Sequence, residues 1–177
     1  MRLCHRSGRT VHLSCGTNLH PVRDLTGVVA QLDAYAEIRA QLAVDALGLS
    51  LWLPPVLAAA LAVDSRSRAR LRAELDARGL EVVTLTGMPY GEPGGADQGR
   101  RQPDWATVER LEYTLDLARI LVDLLPDDSV RGSVTTIGVG RRADWDTARE
   151  CAGTRILGRL SSGLAEIAWQ KIGRAHV

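Results

Sequence analysis

The feature that most limits what this chain can fold into is a repeated alternation of short apolar runs with longer segments of helical period. "LGLSLWL" (Leu47–Leu53) is a continuous apolar run, and "LEVVTLTG" (Leu80–Gly87) is another. "TVHLS" (Thr10–Ser14) and "GSVTTIGV" (Gly132–Val139) read as two further short strands. After the first, Asp24 is placed to cap a helix in which Leu25, Val28, Leu32, Tyr35 and Leu42 keep helical spacing. Pro54-Pro55 open a second helical region, Asp64-Ser65 offer a further start, and Gly79 falls at a helix C′ position. Beyond a loop rich in Gly and Pro, Asp104 precedes a helix with Val108, Leu111, Leu115, Ala118, Val122 and Leu125 in one stripe. A last helix begins at Asp144. Apolar strands separated by amphipathic helices predict an α/β fold: parallel strands in β/α units, covered by helices and joined by right-handed crossovers. Four such units complete a small doubly wound sheet or half of an eight-unit barrel, and periodicity does not choose between them.

The 177 residues suit one domain with a real core, and the net charge of +1 gives no general drive towards nucleic acid or anionic membranes. The alternating arginines Arg66, Arg68, Arg70 and Arg72 spread over more than one helix face and are followed by Glu74 and Asp76, the pattern of a solvated face. Three irregularly spaced cysteines make neither a C-x-x-C pair nor a disulfide framework. The longest apolar stretch, Leu47–Val63, is broken by Pro54-Pro55 and is too short to span a bilayer, and no hydrophobic signal region follows Met1. The expectation is a cytoplasmic protein with no transmembrane segment and no nucleic-acid partner. Nothing in the sequence specifies an oligomeric state.

The closing residues Ile172-Gly173-Arg174-Ala175-His176-Val177 read as the translation of a sequencing-library adapter. The expected organisation is therefore a partial barrel over residues 1–171, about four β/α units, with a non-native tail at 172–177. That reading favours the half barrel over the doubly wound sheet.

"TVHLSCGTNLHP", "LGLSLWLPPVLAAAL", "LRAELDARGLEVVTLTGMPYG", "QPDWATVERLEYTLDLARILVDLLPDD" and "GSVTTIGVG" occur in this order. Together they resemble the amino-terminal half of the EboE family of metabolite traffic proteins, itself similar to xylose-isomerase-like sugar phosphate isomerase/epimerase TIM barrels. The resemblance implies the first half of a (β/α)8 barrel and a role in binding, processing or traffic of a small metabolite. It also implies a divalent metal in a full-length relative, held by Glu, Asp and His on later strands. The chain departs from the family pattern where Cys15-Gly16 precede Thr17-Asn18, and where "GEPGGADQGRR" replaces an aromatic, His and Lys.

In a barrel of this kind ligands sit at the carboxyl ends of the strands. That rule nominates Asn18, His20, Trp52 and Tyr90 as substrate-binding residues, with Met88 and Arg141 at the same mouth. Asn18 offers a donor and an acceptor, His20 a titratable ring, Tyr90 a hydroxyl and Trp52 a flat wall. Each has a plain structural alternative: an Asx-turn for Asn18, a satisfied loop histidine for His20, a core ring for Trp52 and a turn residue for Tyr90. His12, Cys15 and His20 lie close in sequence, but His12 and Cys15 have opposite parity on a strand, which argues against a metal site from this segment. "GVGRRA" matches the loose G-x-G-x-x-A fingerprint and makes Gly138, Gly140 and Arg141 a weak phosphate-binding candidate. Catalytic residues are not nominated. The alternatives to a metabolite-binding barrel are a metal-dependent sugar phosphate isomerase or epimerase, and a nucleotide-binding α/β domain.

Overall fold

The computed structural model describes residues 2–8, 10–18, 22–88, 103–129, 131–136 and 138–175. Four parallel strands form one sheet: β3 (Ser14–Gly16), β4 (Leu47–Trp52), β5 (Leu80–Gly87) and β6 (Ser133–Thr136). Their spatial order follows their order in the chain. Two earlier strands, β1 (Arg2–Cys4) and β2 (Thr10–His12), pair antiparallel as a separate hairpin. The expected α/β class, with parallel strands in β/α units, is what the chain forms. The expected first strand, Thr10–Ser14, is two strands instead: at Leu13 the chain leaves the hairpin and enters the parallel sheet, so its halves have different partners.

The helices follow from local sequence. Asp24 accepts from the Gly27 amide at 2.8 Å and starts α1 (Leu25–Gln41). Pro55 opens α2 (Pro55–Val63), where a missing N–H costs nothing. Asp64 caps α3 (Ser65–Ala77) through the amides of Arg66 and Ser67, and the Ser67 hydroxyl donates to its other oxygen. Those hydrogen bonds from Ser67 and Arg66 hold the Asp64 carboxyl below its ordinary range. Gly79, at φ 64, turns the chain from α3 into β5. α4 spans Val108–Leu124, and α5 spans Thr147–Ala175 after a 3-10 turn at Arg142–Asp144. The last helix therefore begins three residues after Asp144, because Asp146 takes the capping position and accepts from the Arg149 amide.

"LGLSLWL" turns out to be two-faced. Leu47, Leu49, Leu51 and Leu53 are buried against Val28 and Leu32 of α1, Leu61 of α2, Leu71 and Leu75 of α3, and Leu117 and Ile120 of α4. Laterally paired residues in a parallel sheet point the same way, so the register assigns the opposite face. One row there is Gly16, Ser50, Thr84 and Ser133, and the next is Trp52, Thr86 and Thr135. Ser50 shares a hydrogen bond with Thr86 at 2.8 Å, and Thr84 with Ser133 at 2.9 Å. One sheet face is thus leucine under helices, and the other is mainly hydroxyl and glycine, with Glu81 and the buried Trp52 among them. A register shift between Leu49 and Ser50 lets Val83 drop out of the ladder while both faces keep their character.

A second, smaller core joins α4 to α5, with Trp105, Leu111 and Ile156 buried together. The α4 stripe differs from the expected one. Leu111, Ala118 and Leu125 are buried as expected, but Val108 is exposed and Leu115 and Val122 half-buried, and Arg110, Tyr113, Thr114, Leu117, Ile120, Leu121 and Leu124 are buried too, because α4 is covered both by the sheet and by other helices. Leu42 likewise lies beyond α1 and is exposed. The arginines of α3 reach neighbouring elements: Arg68 donates to Asp123 and to the Leu61 and Ala62 carbonyls, and Arg78 to Asp33 and Glu74. Among the described residues no helix is long and apolar enough to cross a membrane. Cys4, Cys15 and Cys151 are free thiols.

Candidate functional site

The carboxyl ends of β3 and β4 are joined by hydrogen bonds that centre on Thr17. Its amide donates to the Ser50 carbonyl at 3.2 Å, and its Oγ1 accepts from the Trp52 amide at 2.9 Å. Its carbonyl accepts from Gln31 Nε2 at 3.3 Å, and the side chain of Tyr35 donates to the Gly16 carbonyl at 3.1 Å. Thr17 is 1% exposed, so its bond to the Trp52 amide satisfies a donor that water does not reach. Burial, with the Cys15 thiol as a second cause, raises the Tyr35 hydroxyl above its usual pKa.

Asn18 follows at the rim, half-buried, with its Oδ1 folded back 3.0 Å from where a Cβ on Gly16 would stand. Glycine at position 16 is what leaves room for that carboxamide. Trp52, at 2% exposure, does not offer an open wall. Its indole N–H donates to the Met88 carbonyl at 3.0 Å and clasps the end of β4 to the end of β5. Tyr113, from α4, donates to the Leu53 carbonyl at 2.7 Å and lies 3.1 Å from the Met88 carbonyl. Burial pushes the Tyr113 hydroxyl well above the ordinary tyrosine range, against a smaller opposing effect of Arg110. His20 and Tyr90 lie outside the described residues.

The end of β6 is built differently. Thr136 Oγ1 accepts from the Trp105 indole at 3.2 Å and from Arg110 Nη2, and the Arg110 guanidinium stands 5.1 Å over the Trp105 ring. Arg110 is completely buried. Gly138 has open space around it, while a Cβ on Gly140 would come within 2.6 Å of the Trp145 ring. Arg141 is exposed ahead of the 3-10 turn. The dinucleotide fingerprint works by running strand, tight turn and helix N-terminus together. Here α5 begins only at Thr147, with its first turn capped by Asp146, so Gly138, Gly140 and Arg141 do not adjoin a helix N-terminus.

Of the sequence candidates, the described structure brings Asn18, Trp52 and Met88 to one rim through Thr17 and Tyr113. His12 sits in the hairpin and Cys15 packs against the main core. Among the described residues no three His, Cys, Asp or Glu side chains come together to hold a metal ion. Sequence reasoning missed Thr17, Arg110 and Tyr113. A signal existed for two of them: a helix returning antiparallel to its strand puts its first turns beside the strand carboxyl ends. Polar residues at the core-facing positions Arg110 and Tyr113 of α4 therefore face that rim. No family model, curated protein or solved structure matches the chain.

Proposed function

We propose that the chain is an EboE-like, barrel-type protein that binds a small polar or aromatic metabolite at the carboxyl ends of β3 to β6, in its processing or traffic. The observation that supports this most directly is the braced rim. Thr17, Trp52 and Tyr113 fix the ends of three successive strands relative to one another, which is the rigidity a preformed ligand site requires. Beside that rim the open sheet face carries Ser50, Thr84, Thr86, Ser133 and Thr135, hydroxyls suited to hydroxyl or phosphate oxygens of a ligand. Asn18 supplies a carboxamide that both donates and accepts.

The test is a titration followed by backbone amide NMR, with sugar phosphates, polyols and aromatic carboxylates as separate probes. The reading expects saturable shifts at Thr17, Asn18, Trp52 and Thr86, and about tenfold weaker binding in Asn18→Ala. Shifts confined to α4 and α5, or no saturable shifts with any probe class, would overturn it.

A further inference from the structure

We propose that the β1–β2 hairpin is a movable strap across the amino-terminal end of the parallel sheet, latched by Arg2 and hinged where the chain enters β3. This goes beyond the ligand reading and does not depend on it. The hinge end is fixed by the chain itself, because β2 runs on through Leu13 into β3. The other end is fastened by one side chain. Arg2, the partner of His12 in the hairpin, donates from Nε and Nη2 to the two carboxylate oxygens of Glu81, at 3.0 and 2.8 Å. The same guanidinium donates from Nη2 to Asp128 Oδ1 at 2.9 Å and from Nη1 to Asp128 Oδ2. Glu81 is the second residue of β5, and Asp128 lies in the connection from α4 to β6. Arg2 thus reaches past β4 to elements that follow it by 79 and 126 positions.

Apolar packing does not hold the strap down. No described residue of β1 or β2 belongs to either buried core, and Leu3 and Val11, partners across the hairpin, are 45% and 51% exposed. Among the described residues the two strands pack extensively only on each other. A lone two-stranded hairpin is marginally stable at best in water. Its closed position therefore depends on the Arg2 pairs, whose two-pronged geometry is the one in which such pairs are strong. Glu81 is the shielded anchor, with its side chain 17% exposed, while Asp128 at 63% is open to screening by salt. Glu81 pairs in register with Gly48, on the sheet face away from the leucines, so the latch closes the amino-terminal end of that face. One end of the sheet is then braced by Thr17, Trp52 and Tyr113, and the other is covered by a segment that can swing away.

Amide-resolved native-state hydrogen exchange of the full chain tests this, at low salt and at roughly 0.5 M salt. The proposal expects the protected amides among residues 2–12 to exchange about tenfold faster in Arg2→Met, with β4 and β5 unchanged. Glu81→Gln should loosen the same amides in a fold that keeps its arginine, and adding it to Arg2→Met should bring little further change. High salt should move the wild type in the same direction and leave Arg2→Met where it was. Hairpin exchange that neither Arg2→Met nor salt alters would overturn the latch. Loss of protection that spreads equally through β4 and β5 would overturn the strap, since the hairpin and the sheet would then open as one unit. A wild-type hairpin that exchanges like an unfolded peptide would overturn both.

Discussion

The carbonyl of Met88 receives the indole N–H of Trp52 at 3.0 Å and stands 3.1 Å from the Tyr113 hydroxyl, so one acceptor at the end of β5 is shared by β4 and α4. Sharing makes the two donors interdependent. Trp52→Phe should cost about 1–3 kcal/mol, from lost packing and an indole bond removed in a buried setting. Combined with Tyr113→Phe the loss should be less than additive, because the first substitution already loosens the end of β5. A double-mutant cycle in urea that sums to zero coupling would refute the shared clasp.

Thr17 makes a sharper case, since a single oxygen receives the buried Trp52 amide. Thr17→Val keeps the shape and strands that N–H, with an expected cost of about 1–3 kcal/mol, whereas Thr17→Ser should recover most of it. Equal destabilisation by both substitutions would mean that the methyl group, and not the hydroxyl, holds the rim.

Alkaline pH should unfold the protein through Tyr113 and Tyr35. Burial raises the pKa of both above the ordinary tyrosine range. A group whose pKa is raised by folding contributes fully below its unfolded value, and the contribution is lost as pH rises towards the folded one. Stability is thus expected to hold up to about pH 10 and to fall above it. In Tyr113→Phe the slope of stability against pH above 10 should be visibly shallower. An identical slope in denaturant midpoints measured across that range would contradict the assignment.

Gly87 lies where β5 meets β6, and a Cβ there would stand 2.4 Å from the Thr135 carbonyl oxygen. Backbone cannot yield as a flexible side chain does, so Gly87→Ala should destabilise by about 1–3 kcal/mol. The damage should fall on β6. Hydrogen exchange is expected to show lost protection at Val134 and Thr136 while Leu49 and Leu51 keep theirs. Uniform loss across the sheet would point to a global effect.

How much of this could be read from the chain depended on whether a residue's partner was local. Asp24, Asp64 and Gly79 announced their caps because each acts within its own turn, and β5 has the bounds its apolar run suggested. β1 was invisible, since three exposed residues acquire strand character only by pairing with β2. The faces of β4 were obscured by Trp52, whose hydropathy hid an alternation of Leu with Gly, Ser and Trp. At the rim, Asn18 and Trp52 were found by position alone, but the role of Trp52 as a clasp was not, because its acceptor is a backbone carbonyl 36 positions away. Backbone acceptors leave no trace in residue identity, and for the same reason Thr17 passed unnoticed.

The sequential strand order also governs how the sheet can assemble and come apart. Each of β4, β5 and β6 pairs with its predecessor, so each addition closes one loop onto structure already formed, and loop-closure entropy grows only slowly with length. β4 and β5 share the longest ladder of the sheet. β3 and β6, with shorter ladders, are expected to open first, which native-state hydrogen exchange would register as weaker protection at both edges than in β4 and β5. The rim that Thr17 braces therefore spans from an edge strand to the middle of the sheet, tying the part expected to open most easily to the part expected to open least.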